Sequence, residues 1–159
     1  MDAIERLLAI EAIKQLKGRN FRLLDTKDWA GLSTIFSEDA VFDARAALSL
    51  DGPGQSGPSP ESAEWIYRGR DAIVAFMRAA IGASLTCHHG HCHEIELLSP
   101  TEAQGVIAME DQIFDASGGA PVLTLHGCGH YHETYRKTQD RWEISSSRLS
   151  RLYVAVMPG

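Results

Sequence analysis

Long apolar runs are absent from this chain of 159 residues. No stretch approaches the roughly 18 consecutive apolar residues of a membrane-spanning helix. The first residues include Asp2, Glu5 and Arg6, and they lack the charged-then-apolar order of a secretory signal peptide. We therefore expect no membrane partner and a cytoplasmic location.

Cysteine and basic charge are also scarce. The three cysteines are an odd count and give no disulfide framework, which fits a reducing compartment. Lysine and arginine number 15 against 21 acidic residues, for a net charge of −6. Because phosphate backbones need a basic face, we expect no nucleic-acid partner. Phosphate-binding loops, dinucleotide fingerprints and nucleophile elbows are missing too.

The length of the chain predicts a single domain over residues 1–159, and its apolar residues recur with the periods of helices and strands. Helical spacing predicts a first helix over 4–24, a second over 28–36 and a third over 71–82. The first should bury an apolar stripe and leave Glu5, Lys14, Lys17 and Arg22 mostly outside it. That stripe comprises Ile4, Leu7, Leu8, Ile13, Leu16, Phe21 and Leu24. Inward positions of the second are Trp29, Leu32, Ile35 and Phe36, and of the third Ile73, Phe76, Met77 and Ile81.

The second half of the chain has the pattern of strands. A short strand is expected near 38–43, and longer ones over 88–98, 103–114, 121–137 and 141–154, joined by short turns. Helices followed by a run of strands predict an α+β fold, with helices on one face of a curved antiparallel sheet. Residues 51–62 are rich in Gly, Pro and Ser and form either a lid over a pocket or an exposed insertion.

Alternation along two strands singles out polar residues on apolar faces. In 103–114 the odd positions are apolar except for Asp111, which is either a functional carboxylate or a solvated residue near the strand end. In 121–137 Tyr131 shares a face with Gly127 and Gly129, which leave room for a ligand. Tyr131 is either a hydrogen-bonding group in a cavity or an aromatic core residue.

A run of histidines and cysteines covers residues 87–93 and raises the question of a metal. His89, His91 and His93 alternate along the expected strand, so they share one face. The run fits no standard structural zinc spacing, and the three cysteines form no Cys-x-x-Cys pair. We therefore predict no metal site.

Asp25 and His88 are the most informative residues. Asp25 lies between the first two predicted helices, and His88 opens a strand. A carboxylate and an imidazole brought together in a pocket form a general acid/base pair. By themselves, an Asp at a helix end is usually a cap and a His in a strand is usually structural.

Taken in order, several segments resemble the SnoaL-like group of the nuclear transport factor 2-like superfamily, which includes scytalone dehydratase, bile-acid 7α-dehydratase and hexachlorocyclohexane dehydrochlorinase. These segments cover almost the whole chain. They are Ile10-Glu11-Ala12-Ile13, Leu24-Asp25-Thr26-Lys27-Asp28-Trp29, Phe36-Ser37-Glu38-Asp39-Ala40-Val41-Phe42, Gly69-Arg70-Asp71-Ala72-Ile73, His88 with Ile95-Glu96-Leu97, Gly129-His130-Tyr131 with Tyr135, and Arg141-Trp142-Glu143-Ile144.

The resemblance implies a cystatin-like cone, in which N-terminal helices pack on the curved sheet and enclose a cavity. It also implies a catalytic dyad of Asp25 and His88. Asp111 matches a strand carboxylate of the bile-acid enzyme, and Ile113 stands where the scytalone enzyme has a second histidine.

The resemblance also marks departures from the lyase pattern. Asn20 replaces a Lys or Tyr five residues before the helical Asp. An Arg of the dehydrochlorinase falls at Ser147, with Arg148 one residue away, and a shift of one residue reverses the facing of a strand side chain. Together, the predicted substrate-binding residues are Asn20, Asp111, Tyr131, Ile113, Met109 and Trp29.

The implied function is that of a cofactor-independent lyase, a dehydratase-type elimination on a small, hydrophobic, cyclic or aromatic substrate that carries oxygen. Two alternatives stay open: a polyketide cyclase, isomerase or epoxide hydrolase that relies on carboxylates, and a non-catalytic module such as the small subunit of a ring-hydroxylating dioxygenase. We expect a homodimer or homotrimer, with contacts at His130, His132 and the last strand.

Overall fold

A computed structural model of the protein describes residues 1–47 and 62–157. Its elements in chain order are α1 (Ala3–Asp25), α2 (Trp29–Ser33), β1 (Phe36–Asp43), β2 (Ile66–Arg68), α3 (Arg70–Ile81), β3 (Leu85–Leu97), β4 (Glu102–Asp115), β5 (Val122–Thr138) and β6 (Arg141–Val156). The loop predicted over 51–62 falls outside the described residues except for Ser62.

Six strands form one sheet in the order β2-β1-β6-β5-β4-β3. Consecutive strands from β3 to β6 pair antiparallel, as their short connections predict. β1 instead runs parallel to β6, a pairing that the chain can make because α3 and four other strands separate the two in sequence. The predicted α+β architecture, with N-terminal helices on a curved and mostly antiparallel sheet, is confirmed. No helix in the described ranges is long and apolar enough to cross a membrane.

Helix α1 begins at a capping box and ends at a left-handed residue. The Asp2 side chain accepts a hydrogen bond from the Glu5 backbone N–H, and the Glu5 side chain accepts one from Asp2. At the other end Lys27 has φ of 59°. Between these ends Ile13 and Leu16 are almost fully buried against the sheet.

Two predictions for α1 are wrong. Ile4, Leu7 and Leu8 are 64–68% exposed, because residues 1–8 are not covered by the rest of the described chain and Ile4 and Leu7 lie more than about 100° around the helix from Ile13. Lys17, expected outside, is buried, and its Nζ lies 2.6 Å from Glu133 Oε1. Lys17 stands four residues after Ile13, so it lies on the buried stripe and needs this ionic partner.

The second helix is shorter than predicted. It ends at Ser33 with Thr34 as C-cap, and Phe36 is the first residue of β1 instead of the last of a helix. Phe36 is 2% exposed and pairs with Ile144 of β6. An inward apolar residue at this position fits the period of a helix and that of a strand equally well, so periodicity alone did not locate the boundary. The short strand β2, which the sequence pattern did not predict, pairs with the end of β1.

The predicted strand faces are correct where they matter for a site. On β4 the buried residues are Ala103, Gly105, Ile107, Met109 and Asp111. On β5 they are Leu125, Gly127, Gly129, Tyr131, Glu133 and Tyr135. Each set is the face that turns toward the helices.

Candidate active site

A cavity of about 510 Å³ lies between the concave face of the sheet, the end of α1 and helix α3. Most of its lining is apolar, with side chains such as Leu24, Phe42, Phe76 and Leu149. The polar side chains that reach it are Ser84, His88, Asp111, Thr124, Tyr131 and Arg151. Few polar groups in an apolar concavity are typical of a small-molecule site.

Asp25 and His88 meet at the edge of this cavity. The Nδ1 atom of His88 lies 2.6 Å from Asp25 Oδ1, and the His88 backbone N–H donates to Asp25 Oδ2 at 2.9 Å. A carboxylate accepts, so the neutral imidazole carries its proton on Nδ1. Nε2 is then the ring nitrogen left for the cavity. The Phe21 ring stacks on the imidazole with centroids 6.4 Å apart, which holds its plane.

The Asp25 carboxylate has a third donor. The Thr86 hydroxyl donates to Oδ1 at 2.9 Å and accepts from Lys27 Nζ at 2.7 Å. Partial burial raises the pKa of Asp25, but the hydrogen bonds from His88 and Thr86 and the charge of His88 together leave that pKa below its ordinary value. Asp25 is therefore an anion at neutral pH.

A second carboxylate, Asp111, is buried beside Arg151. The guanidinium donates from both terminal nitrogens, at 2.7 and 2.8 Å, and its Nε–H donates to the Ala47 carbonyl at 2.8 Å. Asp111 and His88 are direct partners in the β3–β4 ladder. A bidentate pair of this kind fixes both side chains and neutralises the buried charge.

Tyr131 stands between these two pairs. Its ring lies 6.0 Å from Phe21, and Lys17 Nζ sits 3.6 Å from its centroid on the side of α1. Burial and the nearby Asp111 carboxylate raise the pKa of Tyr131, so the phenol keeps its proton. Within the described part of the chain the hydroxyl makes no hydrogen bond, although it lines the cavity.

The family of the chain follows from a match over residues 5–148, which include Asp25, His88 and the whole of β3 and β4. The chain belongs to the SnoaL-like domain family. The resemblance to the nuclear transport factor 2-like superfamily is thereby confirmed.

Proteins that are similar to this chain in sequence or structure are named for different activities. A probable cyclase of Gibberella zeae is 26% identical over 147 residues, covering 91% of this chain and 92% of its own. A putative scytalone dehydratase of Novosphingobium aromaticivorans superposes with a TM-score of 0.75 at 18% identity, over 99% of this chain and 93% of that one. A hexachlorocyclohexane dehydrochlorinase of Novosphingobium barchaimii superposes with a TM-score of 0.71 at 17% identity, over 99% of this chain and 96% of that one. The two structures share the fold with this chain.

The predicted substrate-binding residues of this SnoaL-like chain divide into two groups. Asp111, Tyr131 and Ile113 line the cavity, whereas Asn20, Met109 and Trp29 do not. Asn20 Oδ1 accepts a hydrogen bond from buried Lys17 at 3.1 Å, and Met109 lies beneath Arg151. The Trp29 ring packs against the outside of the core.

Arg151 is the site residue that sequence comparison missed. The resemblance to the dehydrochlorinase pointed to Ser147 and Arg148. Ser147 is buried away from the cavity, and its hydroxyl donates to Glu133 at 2.9 Å. Arg148 is exposed on the opposite face of the sheet. Arg151 shares the inner face with Leu149, so alternation counted from Leu149 would have found it.

The histidine-rich run divides between the two faces of β3. His89 and His91 stack on each other on the outer face, where His91 lies 3.7 Å from Glu110. A register shift between Gly90 and His93 separates His93 from them. Burial, together with the charges of Lys14 and Lys17, lowers the pKa of His93. Within the described ranges, no three histidine, cysteine or acidic side chains are arranged to hold a metal ion.

Proposed function

We propose that this protein is a cofactor-independent lyase that eliminates water, or a similar leaving group, from a small apolar substrate. The observation that carries the proposal is the 2.6 Å contact between His88 Nδ1 and Asp25, which leaves Nε2 as a base at the edge of an apolar cavity. An imidazole titrates near neutral pH, where a general base is most effective.

The reaction begins with proton abstraction. His88 Nε2 takes a proton from a carbon next to the one that bears the leaving hydroxyl, and the freed electron pair forms the double bond. Asp25 stabilises the imidazolium, as the carboxylate does in a catalytic triad. The imidazolium returns that proton to the departing hydroxyl, so an alkene and water leave and His88 is regenerated. The protonated Tyr131 hydroxyl, free of other partners in the described chain, donates a hydrogen bond to the leaving oxygen.

The expected substrate is neutral and mostly hydrophobic. The Asp111 carboxylate at the cavity is paired with Arg151, and the Asp25 carboxylate, which is hydrogen-bonded to His88 and Thr86, does not line the cavity. The cavity therefore presents little net charge, and its remaining walls are largely aliphatic and aromatic. These properties suit a cyclic or aromatic compound with one or two oxygens.

Two classes of probe test this proposal. Cyclic ketones with a hydroxyl β to the carbonyl are followed for loss of water by mass spectrometry. Analogues without the hydroxyl are followed for exchange of the α-hydrogen in deuterated water, which requires only the base. We expect His88→Ala to slow both reactions by about 10²- to 10⁴-fold. The matched control is His91→Ala, which removes an exposed histidine of the same strand.

The outcomes separate chemistry from binding. Unchanged turnover in His88→Ala on a substrate that the wild-type protein converts would refute His88 as the base. Loss of turnover in His91→Ala as well would indicate general damage to β3, and far-ultraviolet circular dichroism of both variants checks for that.

The 26% identical probable cyclase supports a second candidate, an intramolecular cyclisation in the same cavity. In a cyclase that relies on a carboxylate, Asp25→Asn would lower turnover severely and His88→Ala only mildly. Cyclisation that closes a carbon–carbon bond leaves the mass of the substrate unchanged, whereas dehydration lowers it by one water. Product mass and the order of the two variants therefore distinguish the candidates.

A further inference from the structure

Lys27 occupies a backbone position that favours glycine. The Asp28 N–H donates to the Leu23 carbonyl and the Lys27 N–H to the Leu24 carbonyl, which is the Schellman pattern that closes a helix. Lys27 is its left-handed residue, with φ of 59°. A side chain at such a position has a conformational cost, and strained residues that persist in a fold are found preferentially at functional sites.

The Lys27 side chain turns back toward the acid/base pair. Its Nζ donates to Thr86 Oγ1 at 2.7 Å, and the Thr86 hydroxyl proton is thereby directed to Asp25 Oδ1 at 2.9 Å. Thr86 is 5% exposed, so this hydroxyl has little access to water. Asp25 in turn holds His88. The four groups form one continuous hydrogen-bonded chain that ends at the cavity.

We propose that Lys27 is a positioning residue that acts through Thr86 to lower the pH at which the Asp25–His88 pair takes up a proton. A carboxylate in contact with an imidazole favours the imidazolium, which is useless as a base. The Lys27 ammonium is two hydrogen bonds away from the Asp25 carboxylate. Its positive charge opposes the effect of that carboxylate and keeps His88 neutral for proton abstraction. This role rests on the proposed lyase function.

The other charged groups around the pair leave this role to Lys27. On β4 and β6, Asp111 and Arg151 face the cavity as a neutralised ion pair. On β5 the only titratable group at the cavity is Tyr131, which stays protonated. On α3, no charged side chain of the described residues lines the cavity. Lys27, whose pKa is lowered by burial against the opposing charge of Asp25, is thus the cation closest to Asp25 along the hydrogen-bonded chain.

The test is a titration that needs no substrate. Ring signals of the seven histidines are followed by nitrogen–proton correlation NMR against pH, and His88 is identified by the signals missing from His88→Gln. In Lys27→Met we expect the His88 titration midpoint to rise by about half a unit to one unit, from the lost charge several ångströms away. Lys27→Arg keeps the charge and should leave the midpoint in place.

Variants of Lys27 and Thr86 distinguish an effect transmitted through the Thr86 hydroxyl from damage to the fold. Lys27→Gly places the favoured residue in the left-handed position, so it should unfold at the same or a higher temperature while showing the same upward shift. In Thr86→Val the midpoint should also rise, and adding Lys27→Met should then change little, because the ammonium has already lost the hydroxyl that holds it beside the pair. Thr86→Ser is the conservative control.

Each outcome decides the proposal. An unmoved midpoint in Lys27→Met and Lys27→Gly overturns it. Additive shifts from Lys27→Met and Thr86→Val overturn the route through Thr86. If the shifts appear as expected but His88→Ala turns over substrate normally, the role of Lys27 is supported and the lyase function is refuted. On a confirmed substrate, the acidic limb of the rate profile should move upward by the same amount in Lys27→Met.

Discussion

At the scale of single residues, Gly127 permits the buried pair of Asp111 and Arg151. Gly127 lies opposite Asp111 in the β4–β5 ladder, and the guanidinium crosses β5 over it. A Cβ added there would sit 2.7 Å from Arg151 Nη1 and 3.1 Å from Asp111 Oδ1. Gly127 therefore makes room for an ion pair, where the sequence pattern predicted room for a ligand.

Gly127→Ala should consequently displace the guanidinium and break the bidentate contact with Asp111. Leaving a buried carboxylate poorly paired costs free energy, so we expect a loss of about 1–3 kcal/mol in the free energy of unfolding, measured with urea. Gly118→Ala is the control, because a Cβ there meets nothing within 4 Å. Equal stability of the two variants would show that Arg151 has another position open to it.

Asp25 gives a pH-dependent prediction. Its pKa is lowered in the folded protein, so its ionised form contributes stability above the ordinary value of 3.8, and that contribution is lost as the pH falls through the lowered value. We expect Asp25→Asn to be less stable than wild type by about 1 kcal/mol at pH 7, a modest figure because the side chain is only partly buried.

Below pH 3.8 the difference between Asp25→Asn and wild type should shrink toward zero in urea unfolding curves. Asp140→Asn changes an exposed carboxylate and should track wild type throughout. A constant difference across the acid range would mean that Asp25 stabilises the fold by its shape and not by its charge.

At the scale of elements, α1 is attached to the sheet by a buried polar network as well as by apolar packing. Glu133 of β5 accepts from Lys17 at 2.6 Å, from Tyr135 at 2.7 Å and from Ser147 of β6 at 2.9 Å. Burial lowers the pKa of Lys17, and Glu133 opposes that effect. The network joins one helix and two strands behind Tyr131.

Lys17→Met should be strongly destabilising, because it keeps the volume but leaves Glu133 buried without a cation. We expect a loss of about 3–5 kcal/mol in the free energy of unfolding, most of it recovered in the double variant Lys17→Met, Glu133→Gln. Lys14→Met, one turn earlier and exposed, should change little. A double variant as unstable as the single one would show that the network's geometry matters more than its charge balance.

Elements could be predicted from periodicity where one face alone decides burial. The alternation on β4 placed Asp111 inward, and the structure has it 4% exposed. The same reasoning failed where a long-range partner or a missing neighbour decides. Lys17 is buried because of Glu133, 116 positions away. Ile4 lies on the side of α1 opposite Ile13, where the described residues supply no neighbour to cover it, and it is 68% exposed.

At the scale of the whole molecule, the fold and one carboxylate–imidazole pair could be predicted, but the complete site could not. Chain order and short turns determine a mostly antiparallel sheet with helices on one face. Asp25 and His88 are 63 positions apart, and only the docking of α1 on β3 shows that they touch. Arg151 and Lys27 were missed because their roles depend on side-chain direction: one crosses a glycine on a neighbouring strand, and the other turns back from a left-handed residue.

At this scale the described residues also expose apolar side chains on β6 and on α1, and the predicted homodimer or homotrimer would cover one of these two places. Leu152 and Tyr153 of β6 are 69% and 47% exposed, on the strand expected to form the contact, while Ile4 of α1 is 68% exposed. We expect sedimentation to give two or three times the 17.4 kDa of one chain. A lysine buried in an apolar contact is costly, so Leu152→Lys should lower the mass to that of one chain and Ile4→Lys should not. The reverse result would place the contact on α1, and a wild-type mass of one chain would refute the assembly.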